Sequence, residues 1–124
     1  MKIIITENKL KNVIFKFLDS KKFIDIHLDR TLNNYIYLVE SRKDKRAKIS
    51  VYEKNAFGQI RNWVFVDYKL VNEVMAFFGI SREDSLNTIG EWVGDELSFE
   101  PQKIYNTDGE HGTRLNVDSR LVEL

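Results

Sequence analysis

The sequence predicts an α+β domain: an antiparallel meander of about four strands, with three helices packed mainly on one face. Between Phe23 and Asp67 the apolar residues alternate with period two, whereas on either side they recur with the 3.6-residue period of a helix. A third observation separates the two faces of the sheet. Ile, Leu and Val fall on one strand parity, and Tyr35, Tyr37, Tyr52, Trp63 and Phe65 fall on the other. An aliphatic face wants helices over it, and the chain supplies them. The aromatic face has no obvious internal partner and is the candidate contact surface.

Thr6 caps the first predicted helix, with Glu7 in its first turn and Leu10, Val13, Ile14, Phe17 and Leu18 as its apolar stripe. Lys9, Lys11, Asn12, Lys16 and Asp19 fill the other side, and the helix ends near Ser20. The first strand follows from Phe23. Ile24, Ile26 and Leu28 point one way, and Phe23, Asp25, His27 and Asp29 point the other. The aliphatic set is expected on the helix side, with Leu38 and Val64.

After a turn at Thr31–Asn34, the run Tyr35–Glu40 is apolar on both parities, as a central strand is. Ser41–Arg46 is a charged turn, and Ala47–Lys54 forms the third strand around Ile49 and Val51. Asn55–Gln59, with Gly58, reads as a hairpin loop, and Ile60–Asp67 sets Val64 and Val66 against Trp63 and Phe65.

Asp67 is placed to cap a second helix running through Leu70, Val71, Val74, Met75 and Phe78, which Gly79 stops. Ser81-Arg82-Glu83-Asp84 resembles a capping box and opens a third helix with the stripe Leu86, Ile89, Val93 and Leu97, Trp92 at its edge. Pro101 ends it. Residues 102–124 read as a less regular C-terminal arm of the single domain 1–124, either a fifth strand or a tail that orders only on contact, with a polar loop at Thr107–Gly112 and a brief alternation at Arg114–Asp118.

Composition narrows the classes of function. With 124 residues, 43% of them hydrophobic, the chain suffices for one core, and halving it would leave two domains near the lower limit of unassisted folding. Nineteen Lys and Arg balance nineteen Asp and Glu, so any electrostatic partnership is local. The absence of cysteine removes disulfides, thiolate catalysis and Cys-bound zinc. Met1–Ile5 is too short for a signal h-region, and no run approaches the ~18 apolar residues of a membrane span. The expectation is a soluble, unprocessed protein without a membrane partner.

Three sets of residues have chemistry to offer. Tyr35, Tyr37, Tyr52, Trp63 and Phe65 suit a protein partner, or a second copy of the chain, docking on the sheet. The same rings, with Arg42, Lys43, Lys45, Arg46 and Lys48 of the basic turn and with Lys54 and Arg61, have the ingredients of a surface that stacks bases and tracks phosphates. Asp25, His27 and Asp29, joined by His111 or Asp108, offer oxygen and nitrogen ligands to a divalent cation, as in a small metal-dependent hydrolase. The plain reading of that third set is the polar side of an edge strand. Glu91, Asp95, Glu96 and Glu100 read as a solvated helix face. No phosphate-binding glycine loop, His-Glu-x-x-His or Gly-x-Ser-x-Gly motif is present, and no cofactor is expected.

The opening Lys2-Ile3-Ile4-Ile5-Thr6-Glu7, leading into an amphipathic helix, resembles the start of many small uncharacterised proteins of marine tailed-phage genomes. The run Trp63–Leu97, with its Asp-Tyr cap and Gly-Glu-Trp-Val helix, is similar to segments of such proteins. The resemblance implies a setting and no activity. What it implies is a phage accessory protein of the infected bacterial cytoplasm or the virion, acting on a host or virion component.

Overall fold

The computed structural model describes residues 7–29, 33–56 and 59–107. The elements run α1 (Glu7–Ser20), β1 (Ile24–Asp29), β2 (Asn33–Val39), β3 (Ile49–Ala56), β4 (Gln59–Asp67), α2 (Tyr68–Phe78), α3 (Arg82–Leu97) and β5 (Lys103–Thr107). The fold is α+β, as expected. The sheet has five strands in the order β1-β2-β3-β4-β5, with β1 to β4 antiparallel. β5 lies parallel to β4, because α2 and α3 form the crossover that a parallel return requires.

All three helices pack on one face of this sheet. Ile14 and Leu18 of α1, Leu70, Val71 and Val74 of α2, and Ile89, Trp92 and Val93 of α3 form one core with Leu38, Ile49, Val51, Val64 and Val66. Val13, grouped by its spacing with the α1 stripe, is 47% exposed. The neighbouring Phe17 instead stacks on the exposed ring of Phe77, with centroids 5.1 Å apart.

Helix ends follow local chemistry. Gly79 stops α2 in the left-handed conformation, its N–H bonding to the Met75 carbonyl at 2.9 Å. Ser81 Oγ accepts from the Asp84 N–H at 3.1 Å and caps α3. Asp67 occupies the cap position of α2, but its side chain makes no capping hydrogen bond. Thr6, expected to cap α1, lies outside the described residues.

Two small residues admit β5. A Cβ on Gly90 would overlap the Ile104 side chain, and one on Gly94 would come 2.7 Å from the Phe99 carbonyl oxygen. The α3 face towards β5 is therefore bare backbone, and Ile104 packs against it to join the core. At the β3–β4 hairpin, pairing continues to Ala56 opposite Gln59, so the strands run further into the expected loop than the sequence suggested. Its tip, Phe57–Gly58, lies outside the described residues.

Candidate contact surface: the aromatic face of the sheet

Register places the rings together. Tyr35 lies opposite Tyr52 across β2 and β3, Tyr52 opposite Trp63 across β3 and β4, and Phe65 opposite Tyr105 across β4 and β5. Side chains alternate strictly along a strand, so these residues and Tyr37 share the face opposite the helices. The rings form two sets, a connected run Tyr37–Tyr35–Tyr52–Trp63 and the pair Phe65–Tyr105. Centroids are 6.0 Å apart for Tyr35–Tyr37, 4.9 Å for Tyr35–Tyr52, 5.6 Å for Tyr52–Trp63 and 5.1 Å for Phe65–Tyr105. These separations fall in the range of favourable aromatic pairs. The five expected rings are on one face, and no described helix packs there.

Exposure grades across the face. Tyr37 is buried with Ile26, Val39 and Ala47 in a small second core, against which Ile24 and Tyr35 pack. Tyr35, Tyr52, Trp63 and Phe65 are half-buried, and Tyr105 is 38% exposed. Between the rings lies Ser50, opposite both Tyr37 and Phe65 and only 1% exposed. Ser50 Oγ has no hydrogen-bond partner, and neither does Oδ1 of Asp67, two residues beyond Phe65 and on the same parity.

The parity of β1 is the reverse of the expectation. Ile26 lies opposite Tyr37 and Ile24 opposite Val39, so both aliphatics belong to the aromatic face. Asp25 lies opposite Leu38 and His27 opposite Ile36, which puts them on the helix side, at the sheet edge and exposed. The reason is register: alternation shows which residues of β1 share a face, but only its pairing with β2 says which face that is.

This relocation affects the other two candidate sets. Among the described residues, no group of three His, Cys, Asp or Glu is gathered to hold a metal ion. The Asp29 side chain, Asp108 and His111 lie outside the described residues. Asp25 instead lines a cavity of about 130 Å³ with Asp19, Lys22, Trp92 and Glu96. There the Trp92 indole N–H donates to Asp19 Oδ1 at 2.9 Å. Burial, then the charge of Asp19 and a hydrogen bond with it, raise the Glu96 carboxyl above its ordinary range, and Asp25 and Asp95 add to the effect. Glu91 is paired instead, its carboxylate 2.7 Å from Lys11 Nζ, and this partner raises the Lys11 ammonium.

The basic turn is folded around an acid. Asp44 Oδ2 accepts from the Glu40 and Ser41 N–H groups at 3.1 and 3.0 Å, while the Asp44 N–H donates to the Ser41 carbonyl. Arg42, Lys43, Lys45 and Arg46 are therefore displayed outward and exposed, and Lys48 is half-buried. Arg61, exposed, shares the parity of Trp63, and Lys48 lies opposite Asp67 on that face by register.

Sequence reasoning missed two residues of this surface, Lys103 and Tyr105. Both lie on β5, opposite Trp63 and Phe65. The five-residue strand Lys103–Thr107 has a single core-facing aliphatic, Ile104, too few to show a period. No helix among the described residues is long and apolar enough to cross a membrane. No protein-family model matches this chain, and no curated protein or solved structure matches it at a significant level.

Proposed function

We propose that this protein is a non-catalytic accessory protein that acts by protein–protein contact through the aromatic face of its sheet, with another protein or a second copy as partner. One observation carries the reading: every described helix packs on the aliphatic face, while the rings converge on the other. Half-buried Tyr and Trp side chains around a small apolar centre are the composition of interface anchors. The opening motif supports a phage setting, in an infected bacterial cell or in the particle. The test is co-purification from infected cells with a tagged copy, beside a Tyr52→Ser/Trp63→Ser variant. A partner, or the untagged chain, captured by the wild type and lost by the variant is expected. Equal capture by both would place the contact elsewhere.

A second reading, nucleic-acid binding, is favoured by the relocation of the acids. Among the described strand residues no exposed carboxylate shares the aromatic face, while Arg61 and Lys103 do. Stacked rings with cations at the margins suit single-stranded nucleic acid. In this reading, changing Lys43, Lys45 and Arg46 to Ser weakens oligonucleotide binding and flattens its salt dependence without moving the melt. Anisotropy titration of a labelled single strand at physiological salt decides it, and affinity weaker than about 100 µM, below even non-specific binding, removes the reading.

A further inference from the structure

We propose that the partner of the aromatic face is a second copy of this chain, packed sheet on sheet, with Arg46 of each copy paired to the buried Asp67 carboxylate of the other; the inference rests on the contact reading above. Two oxygens call for a partner. Ser50 and Asp67 are 1% and 2% exposed, and Ser50 Oγ and Asp67 Oδ1 have no hydrogen-bond partner. By register both belong to the aromatic face, Ser50 opposite Phe65 and Asp67 two residues further along β4. A buried hydroxyl can donate or accept, but a buried carboxylate calls for a cation or an N–H donor. The ion pairs among the described residues join Lys11 to Glu91 and Lys21 to Glu40 and Glu73, and none reaches Asp67. Diagonal neighbours on adjacent strands lie ~7–8 Å apart, so one guanidinium, with its N–H groups in a planar fork, can serve both oxygens. Planarity also suits it to the stacked rings of Phe65 and Tyr105 beside them. Tyr105 is exposed and Lys48 half-buried, so the side chains that flank Asp67 on this face can turn aside to admit it.

The fold supplies such a cation at the right end of the sheet. Ile49 lies opposite both Leu38 and Val66, so the basic turn between β2 and β3 sits at the same end as Asp67. Ala47, which follows the turn, is buried with Tyr37 and Val39 in the small core of the aromatic side, so the turn returns to the sheet on that side. Arg46 precedes it and is exposed. A two-fold axis along β3 stacks two such sheets face to face and reverses the strand order. The β2 strand of each copy then lies over β4 of the other, and each basic turn over the opposing Asp67. Packed sheets lie ~10 Å apart, a gap that an arginine side chain spans. The same operation puts Tyr52 of both copies near the axis and makes both charge pairs at once, as an isologous contact must. A face about 20 Å across and about 25 Å long lets two copies bury on the order of 1,000 Å², the lower limit for a specific interface.

The test is sedimentation velocity on the full chain over a concentration series, with Arg46→Glu and Asp67→Lys run alone and mixed. The wild type is expected to dimerise, and each variant alone to do so at least about thirtyfold more weakly, the loss for one member of a desolvated charge pair. An equimolar mixture should recover the wild-type affinity, because each mixed dimer holds one native and one reversed pair. A pairing within one chain cannot be rescued by mixing, so a mixture as weak as its components overturns the proposal. Where Asp67→Lys does not fold, Asp67→Asn and Arg46→Ser form a double-mutant cycle on association; losses smaller than their sum are expected, and additive losses overturn the proposal. A dimer lost in Trp63→Ser but unmoved by Arg46→Glu overturns the pairing and leaves the contact reading standing. A dimer that Trp63→Ser leaves intact overturns both. A wild type that stays monomeric overturns the proposal, and if that monomer binds a labelled single strand the face belongs to nucleic acid.

Discussion

Glu96 titrates in unusual company. Its carboxyl is raised by burial and by Asp19 on α1, with smaller contributions from Asp25 on β1 and Asp95 on its own helix, while Lys22 lines the same cavity. A raised carboxyl favours folding while it is protonated, and that contribution is lost as pH climbs through the folded-state value. Glu96→Gln keeps a hydrogen-bonding group without the charge. Its melting temperature is therefore expected to exceed that of the wild type at pH 7, with the gap closing as pH falls towards 4. A gap that widens on acidification would show that Glu96 is stabilised as the anion. In the sequence this acid looked like part of a solvated helix face, because nothing in the spacing of α3 reveals that α1 delivers Asp19 beside it.

At the scale of elements, the attachment of β5 depends on the C-terminal half of α3. Gly94→Ala gains helix propensity but drives a Cβ against the Phe99 carbonyl and the Pro101 ring. The backbone cannot yield as a side-chain tip can, so a net loss of about 1–3 kcal/mol is expected in chemical denaturation. Ser98 runs the other way. It ends α3 in the left-handed conformation at φ 58°, where glycine is at ease, so Ser98→Gly should gain about 0.5–1 kcal/mol. Denaturation midpoints that move in the opposite directions would contradict this account of the α3–β5 junction. The strands β2, β3 and β4 were legible because each carries aliphatics on one parity and rings on the other. β1 was half legible, since its alternation is plain but its register depends on a turn of weakly specified length. For β5 only the option of a fifth strand somewhere in residues 102–124 was legible, because one aliphatic in five residues carries no period.

The whole molecule is a sheet with two unlike sides, one closed by three helices and one floored with rings. If the second side is a surface for contact and the first is core, substitutions on the two sides differ in what they cost. Trp63 and Val64 are adjacent in the chain and lie on opposite sides, Val64 fully buried and Trp63 half-buried. Truncating Val64 leaves a cavity under α2 and α3, so Val64→Ala should cost about 2–3 kcal/mol and leave association unchanged in the folded fraction. Trp63→Ser removes a ring that touches Tyr52 at 5.6 Å, and its loss to stability should be smaller. Its loss to association should be the larger, about 2 kcal/mol or more, which is the weight of an interface anchor. The most direct measurement is a thermal melt and a sedimentation run on Trp63→Ser beside Val64→Ala. Trp63→Ser is expected to melt above Val64→Ala and to associate at least about thirtyfold more weakly than the wild type. A Trp63→Ser protein that melts below Val64→Ala and associates like the wild type would make the aromatic side core and contradict the account.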